Sequence, residues 1–170
     1  MNCHRNDLYP SGAGSPVVHS HSTGSTLARE IAKLRPIQVT LGLSDYWYLN
    51  NHRRRGEECG GFRSKRLALL IRAKMSDATV VDESELGREF VTGTSRVTFT
   101  VNGCRPLACA LYHWNYPENE RLRLHVGSFL GVTLIGMKVG QSTRLLDSRG
   151  LVRNLHLLSV CDRSGENVLD

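Results

Sequence analysis

The stretch Gly127–Gln141, GSFLGVTLIGMKVGQ, constrains this chain more than any other. Four glycines (Gly127, Gly131, Gly136, Gly140) interrupt a run of apolar residues, and Lys138 is the lone charge. Glycine recurring every four or five residues excludes one long strand or one long helix. It tolerates positive φ, permits close backbone approach and ends helices. The spacing predicts a strand ending near Gly127, a helical turn over about Ser128–Ile135, a cap at Gly136 and a second turn at Val139–Gly140. Ser128 suits the N-cap, where its hydroxyl accepts from an unpaired backbone N–H. So apolar an element belongs in the core, where it sets the angle between the strands on either side.

The residues around it read as sheet. Val97, Phe99 and Val101 alternate with polar residues, and Asn102–Gly103 is a strong hairpin signal. Leu107–Tyr112 is a continuous apolar strand, and Tyr112–Glu120 a turn-rich aromatic loop. Leu122, Leu124 and Val126 alternate again. Beyond the glycine element come a strand at Ser142–Leu146, a turn at Asp147–Gly150 and a last strand at Val152–Val160. Together these make an antiparallel sheet with one short helix over residues 95–161.

Upstream the period is helical. Ser44–Asp45 starts a helix over Asp45–Arg55, with His52 and three arginines at the dipole-favoured C-terminal end, and Gly56 ends it. A second helix over Arg63–Met75 carries Leu67, Leu70, Ile71 and Met75 on one stripe. The two form a short antiparallel hairpin over residues 37–77, each arm about 17–20 Å long. Residues 78–94 read as a linker. Residues 1–36, rich in Ser, Gly, Pro and His, read as a disordered extension, and 162–170 as a polar tail. The fold class is therefore α+β.

Charge concentrates in the hairpin. Between Ser44 and Asp77 lie eight bases and four acids, +4 of the chain's formal +6. Arg53, Arg54, Arg55, Arg63, Lys65 and Arg66 form a basic arm. This suits an acidic protein surface or nucleic acid, and equally a solvated polar face. At the tip, Glu57 and Glu58 are adjacent carboxylates. They could hold a divalent cation through water, although acids also simply fill turns.

At 170 residues and 19.0 kDa, with 40% apolar residues and mean hydropathy −0.28, the chain suits one domain, or a small domain plus an appendage. It has neither the ~18-residue apolar run of a membrane span nor a signal-peptide core, so a cytoplasmic location is the default. Five cysteines (Cys3, Cys59, Cys104, Cys109, Cys161) without a C-x-x-C argue against a disulfide framework or a zinc site. His19 and His21 are a weak metal pair. Phosphate-binding loops, H-E-x-x-H and G-x-S-x-G are absent. No catalytic residue, metal site, cofactor or small-molecule substrate is expected.

The run Leu122–Val160 resembles the C-terminal domain of the GreA/GreB transcript cleavage factors. Val126, Ser128, Gly131, Leu134-Ile135-Gly136, Val139-Gly140-Gln141, Gly150 and the closing Leu155–Val160 strand carry the likeness. Asp77–Val81, Val91-Thr92, Ser95–Val97 and Leu111–His113 resemble that family's lead-in. The whole Ile37–Val160 span is most similar to the short-armed branch, the regulator of nucleoside diphosphate kinase (Rnk). Phe129 stands where the family usually has proline, a local departure.

The resemblance implies an FKBP-like sheet domain in a bacterial protein that binds RNA polymerase at the rim of its secondary channel. Ser128, Gly131, Leu134, Ile135, Gly136, Gly140 and Gln141 would form the docking and fold motif. Long-armed members place tip acids on the catalytic magnesium, a reach too long for these arms, so the cleavage role is not carried over to Glu57 and Glu58. The expected function is a non-enzymatic, monomeric elongation regulator that competes with cleavage factors. Direct DNA or RNA binding by the basic hairpin and an FKBP-like prolyl isomerase are the alternatives.

Overall fold

The computed structural model describes residues 37–58, 60–115, 118, 120–146 and 149–161. The expected extension (1–36) and tail (162–170) lie outside the described residues. Strand β1 (Thr40–Gly42) runs directly into helix α1 (Leu43–Glu58), which pairs with α2 (Phe62–Asp77). Then follow β2 (Thr79–Val81), β3 (Arg96–Val101), β4 (Leu107–Tyr112), β5 (Arg123–His125), α3 (Phe129–Leu134), β6 (Ser142–Leu146) and β7 (Val152–Cys161). β1 and β2 form a small parallel pair, and the main sheet has the order β5-β4-β3-β7-β6. The architecture is mixed α+β. Among the described residues no helix is long and apolar enough to cross a membrane.

The glycine element is built as its spacing predicts. Ser128 caps α3, its hydroxyl accepting from Gly131 N at 3.1 Å. Gly136 follows at φ 74° and Gly140 at φ 83°. At Gly136 a side chain would also lie 2.8 Å from Leu41 and 2.9 Å from the Thr40 carbonyl, so both backbone and space call for glycine. The main chain here is a crossroads. Gly136 N donates to Val91 O, Thr40 N to Gly136 O, Val91 N to Met137 O and Gly140 N to Leu157 O. β1, the segment before β3, and β7 are thus all pinned to one apolar loop. Val132, Leu134, Ile135 and Met137 are fully buried, each worth about 1.5–3 kcal/mol relative to exposure.

The Asn102–Gly103 turn also forms as expected. Both residues have positive φ, and Cys104 N donates to Val101 O. Two expectations need correction. The sheet is not antiparallel throughout, because β5 runs parallel to β4, pairing Ala110 with Arg123 and Tyr112 with His125. The helices are also longer than predicted, 16 residues each, or about 24 Å. Gly56 does not end α1. It lies inside it where α2 passes, and an added Cβ would sit 3.0 Å from Ser64 O and 3.2 Å from Ala68 Cβ. There glycine serves close helix packing.

One hydrophobic core joins hairpin and sheet. Leu41, Leu49, Leu70 and Ile71 cluster with Val97, Leu111, Leu155 and Leu157 and with the glycine element. Within residues 78–94, β2 pairs with β1, Val91 is buried, and Phe90 bridges to Lys138.

Candidate functional site

Polar side chains also hold the hairpin to the sheet. Asp45, in the first turn of α1, is buried. Its two carboxylate oxygens accept from Gly93 N at 3.1 and 3.0 Å. Oδ1 also lies 2.9 Å from His113 Nε2, just past β4. The other ring nitrogen of His113 lies 3.1 Å from His52 Nε2, two turns further along α1. A carboxylate only accepts, so we assign Nε2–H to His113; its Nδ1 then accepts from His52 Nε2–H. One chain of hydrogen bonds therefore ties both ends of the first half of α1 to the sheet.

The surroundings keep His52 neutral. Burial, then the neighbouring His113 and His125 and the Arg55 guanidinium, lower it from 6.5 to about 3. A base protonated only near that value does not suit proton transfer near neutrality. The network joins α1 to the segments that flank the sheet. Trp114 covers it, stacked on His52 at 4.3 Å with Arg55 lying 4.4 Å from its ring centre. His125 meets His52 edge-on at 4.8 Å, and Tyr48 lies 4.7 Å from His113.

α2 has its own tie. Lys74 Nζ donates to Thr133 O at 2.8 Å, at the C-terminal end of α3, where cations bond free carbonyls. Burial lowers this amine to about 7. Ser44 N, at the start of α1, donates to the Glu83 carboxylate at 2.8 Å.

The residues singled out in the sequence divide into groups. Gly131, Leu134, Ile135 and Gly136 are buried, so they shape a surface and do not line one. Gln141 is partly exposed. It accepts from Lys138 N at 2.8 Å and donates to Gln38 O at 3.1 Å, closing the turn onto the N-terminal segment. The basic arm is not one patch. Arg53 is held by Glu57 at 2.8 Å and by Asn50. Arg55 lies on Trp114, and Arg66 is buried beside Phe62. Arg54, Arg63 and Lys65 are exposed. Glu57 and Glu58 are exposed at the tip, but Glu57 is engaged by Arg53.

Among the described residues, no cluster of three or more His, Cys, Asp or Glu could hold a metal. Cys104 and Cys109 are free thiols, and burial raises the Cys109 thiol to about 11, which keeps it protonated near neutrality. Sequence reasoning missed Asp45, His113 and the aromatic cover. The partners are 68 and 61 positions apart, and no local period connects them. The only available signal was Tyr46-Trp47-Tyr48 in α1, three consecutive aromatics that cannot share one buried helix face.

The fold is shared with a known structure. A GreA/GreB prokaryotic transcription elongation factor from Nitrosomonas europaea superposes with a TM-score of 0.52 at 18% identity, covering 72% of this chain and 98% of that one. GreA factor homolog 1 of Thermus thermophilus matches at 15% identity and TM-score 0.33, over 74% and 99% of the two chains. Its Thermus aquaticus counterpart gives 16% and 0.36, over 72% and 97%. No family model matches the sequence, and no curated protein matches it.

Proposed function

We propose that this chain is a non-enzymatic regulator of transcription elongation that binds RNA polymerase. The sheet domain docks at the rim of the secondary channel, and the hairpin enters the channel mouth. By occupying that position it competes with Gre cleavage factors. On this reading the sheet domain is FKBP-like, the chain sits with the short-armed Rnk branch, and it acts as a monomer without cofactor or small-molecule substrate.

The observation that carries the reading is the fold held in common with a GreA/GreB elongation factor over 98% of that factor's length. The glycine motif supports it, since the residues that carry the sequence resemblance build the crossroads of the sheet domain. The hairpin fits a blocking role better than cleavage. Its arms are about 24 Å long, and one of its two tip acids is already paired with Arg53.

Transcript cleavage in stalled elongation complexes tests this. Excess chain added with a limiting Gre factor should lower the cleavage rate, and the chain alone should not cleave. Cleavage unaffected by excess chain would refute competition. Cleavage by the chain alone, abolished by replacing Glu57 and Glu58 with alanine, would refute the non-enzymatic assignment.

A further inference from the structure

The outer face of α1 carries a stripe that no contact above explains. Leu43, Trp47, Asn51, Arg54 and Glu58 recur at steps of four, four, three and four, which aligns them on one side of the helix. The stripe runs about 22 Å. Its base is apolar and open, with Leu43 45% and Trp47 59% exposed. Tyr48 and Trp114, each 40% exposed, lie beside it, brought together over the buried histidines. Its tip end is a shallow groove of about 470 Å³ lined by Asn51, Arg54, Arg55, Glu58 and Trp114. Glu57 offsets Arg53, whereas Arg54 and Arg55 have no ion pair among the described residues.

From this we infer that the α1 stripe is a protein-docking surface for an amphipathic helix bearing carboxylates. Apolar residues of the partner cover Leu43, Trp47 and Tyr48, and its carboxylates meet Arg54 and Arg55. Tryptophan, tyrosine and arginine are the side chains that dominate protein interfaces, and a contiguous exposed apolar patch marks such a site. The length of the stripe matches four turns of a partner helix. Arg54 and Arg55, neither in an ion pair among the described residues, outnumber Glu58, the one acid lining the groove, and supply the charge complementarity.

Nucleic acid fits less well. Trp114 already has a stacking partner in His52 and a guanidinium in Arg55, so a base would have to displace Arg55. Two cations beside an apolar base, one of them already on Trp114, are also few for a site that must track phosphates. The assignment rests on the polymerase reading, and places the docking helix on the polymerase surface.

The test is equilibrium binding of the full chain to core RNA polymerase, with substitutions at exposed positions that leave the fold intact. Trp47→Ala should weaken binding about tenfold or more, and the pair Arg54→Glu with Arg55→Glu should do the same. Val80→Ala, exposed on β2 and outside both the hairpin and the main sheet, should bind within about twofold of wild type. A photo-crosslinking phenylalanine analogue at position 47 should capture a polymerase segment rich in acidic residues.

Wild-type binding left unchanged by Trp47→Ala overturns the stripe alone. Crosslinks to RNA, to a second copy or to residues 1–36 of the same chain overturn it too. Failure of the wild-type chain to bind overturns the polymerase reading and the stripe with it.

Discussion

The glycine element and the hairpin junction both join distant parts of the chain, but by different means. At the glycine element the main chain makes the joints. Gly136, Met137 and Gly140 exchange backbone hydrogen bonds with Thr40, Val91 and Leu157. At the junction side chains make them, through Asp45, His113 and His52. Main-chain joints depend on backbone conformation, which two glycines secure. Side-chain joints depend on every partner being present, because a buried polar group stripped of its partner costs free energy. Damage at the first region should therefore be a matter of steric fit, and at the second a matter of coupling and pH.

The largest effect should come at the glycine element. Gly136→Val demands a strained positive φ and space that Leu41 and Thr40 occupy. A loss of roughly 3 kcal/mol or more is expected in urea unfolding. A loss under about 1 kcal/mol would mean that the loop gives way, and the contrast with the junction would fail.

Next comes Asp45→Ala. It leaves Gly93 N and His113 buried without their acceptor, at a cost of roughly 2–3 kcal/mol. A double-mutant cycle with His113→Phe should show coupling above about 0.5 kcal/mol. Strict additivity would break the chain of bonds as drawn.

The pH dependence of stability sharpens the same contrast. His52 has its proton affinity lowered in the fold, from 6.5 to about 3. Unfolding therefore takes up a proton between those values. Its contribution is complete above about pH 6.5 and is lost as pH falls toward 3, by about 2–3 kcal/mol at pH 4.5. His113, His125 and Arg55 all face this ring, and Asp45 bonds the far side of His113, so the comparison is between wild type and His52→Gln across the same range. The variant should lose less stability on acidification, and identical profiles would contradict the burial of a neutral ring.

The smallest effect should follow Arg53→Ala, which breaks an exposed i,i+4 pair with Glu57. About 0.3–0.5 kcal/mol is expected.

The same division explains what could be read in advance. The Ser128 cap, the turns at Gly136 and Gly140, and the Asn102–Gly103 hairpin each need only neighbours in sequence, so they were legible. The apolar stripe of α2 was legible too, because Leu70 and Ile71 recur with the helix. The parallel strand β5 was not, since a three-residue edge strand carries no mark of direction. Gly56 misled because glycine serves helix ends and close helix packing alike. The Asp45–His113–His52 chain was invisible because its members look locally like a helix-start acid, a loop residue and a C-terminal cation.

The central claim is that this fold serves RNA polymerase, and binding tests it most directly. The full chain is titrated against core RNA polymerase at moderate salt, with and without a Gre cleavage factor. The account predicts a complex at low micromolar concentration or tighter (~−8 kcal/mol), displaced by the cleavage factor in a competitive manner. No complex in that range, or a complex that the cleavage factor leaves untouched, would contradict it.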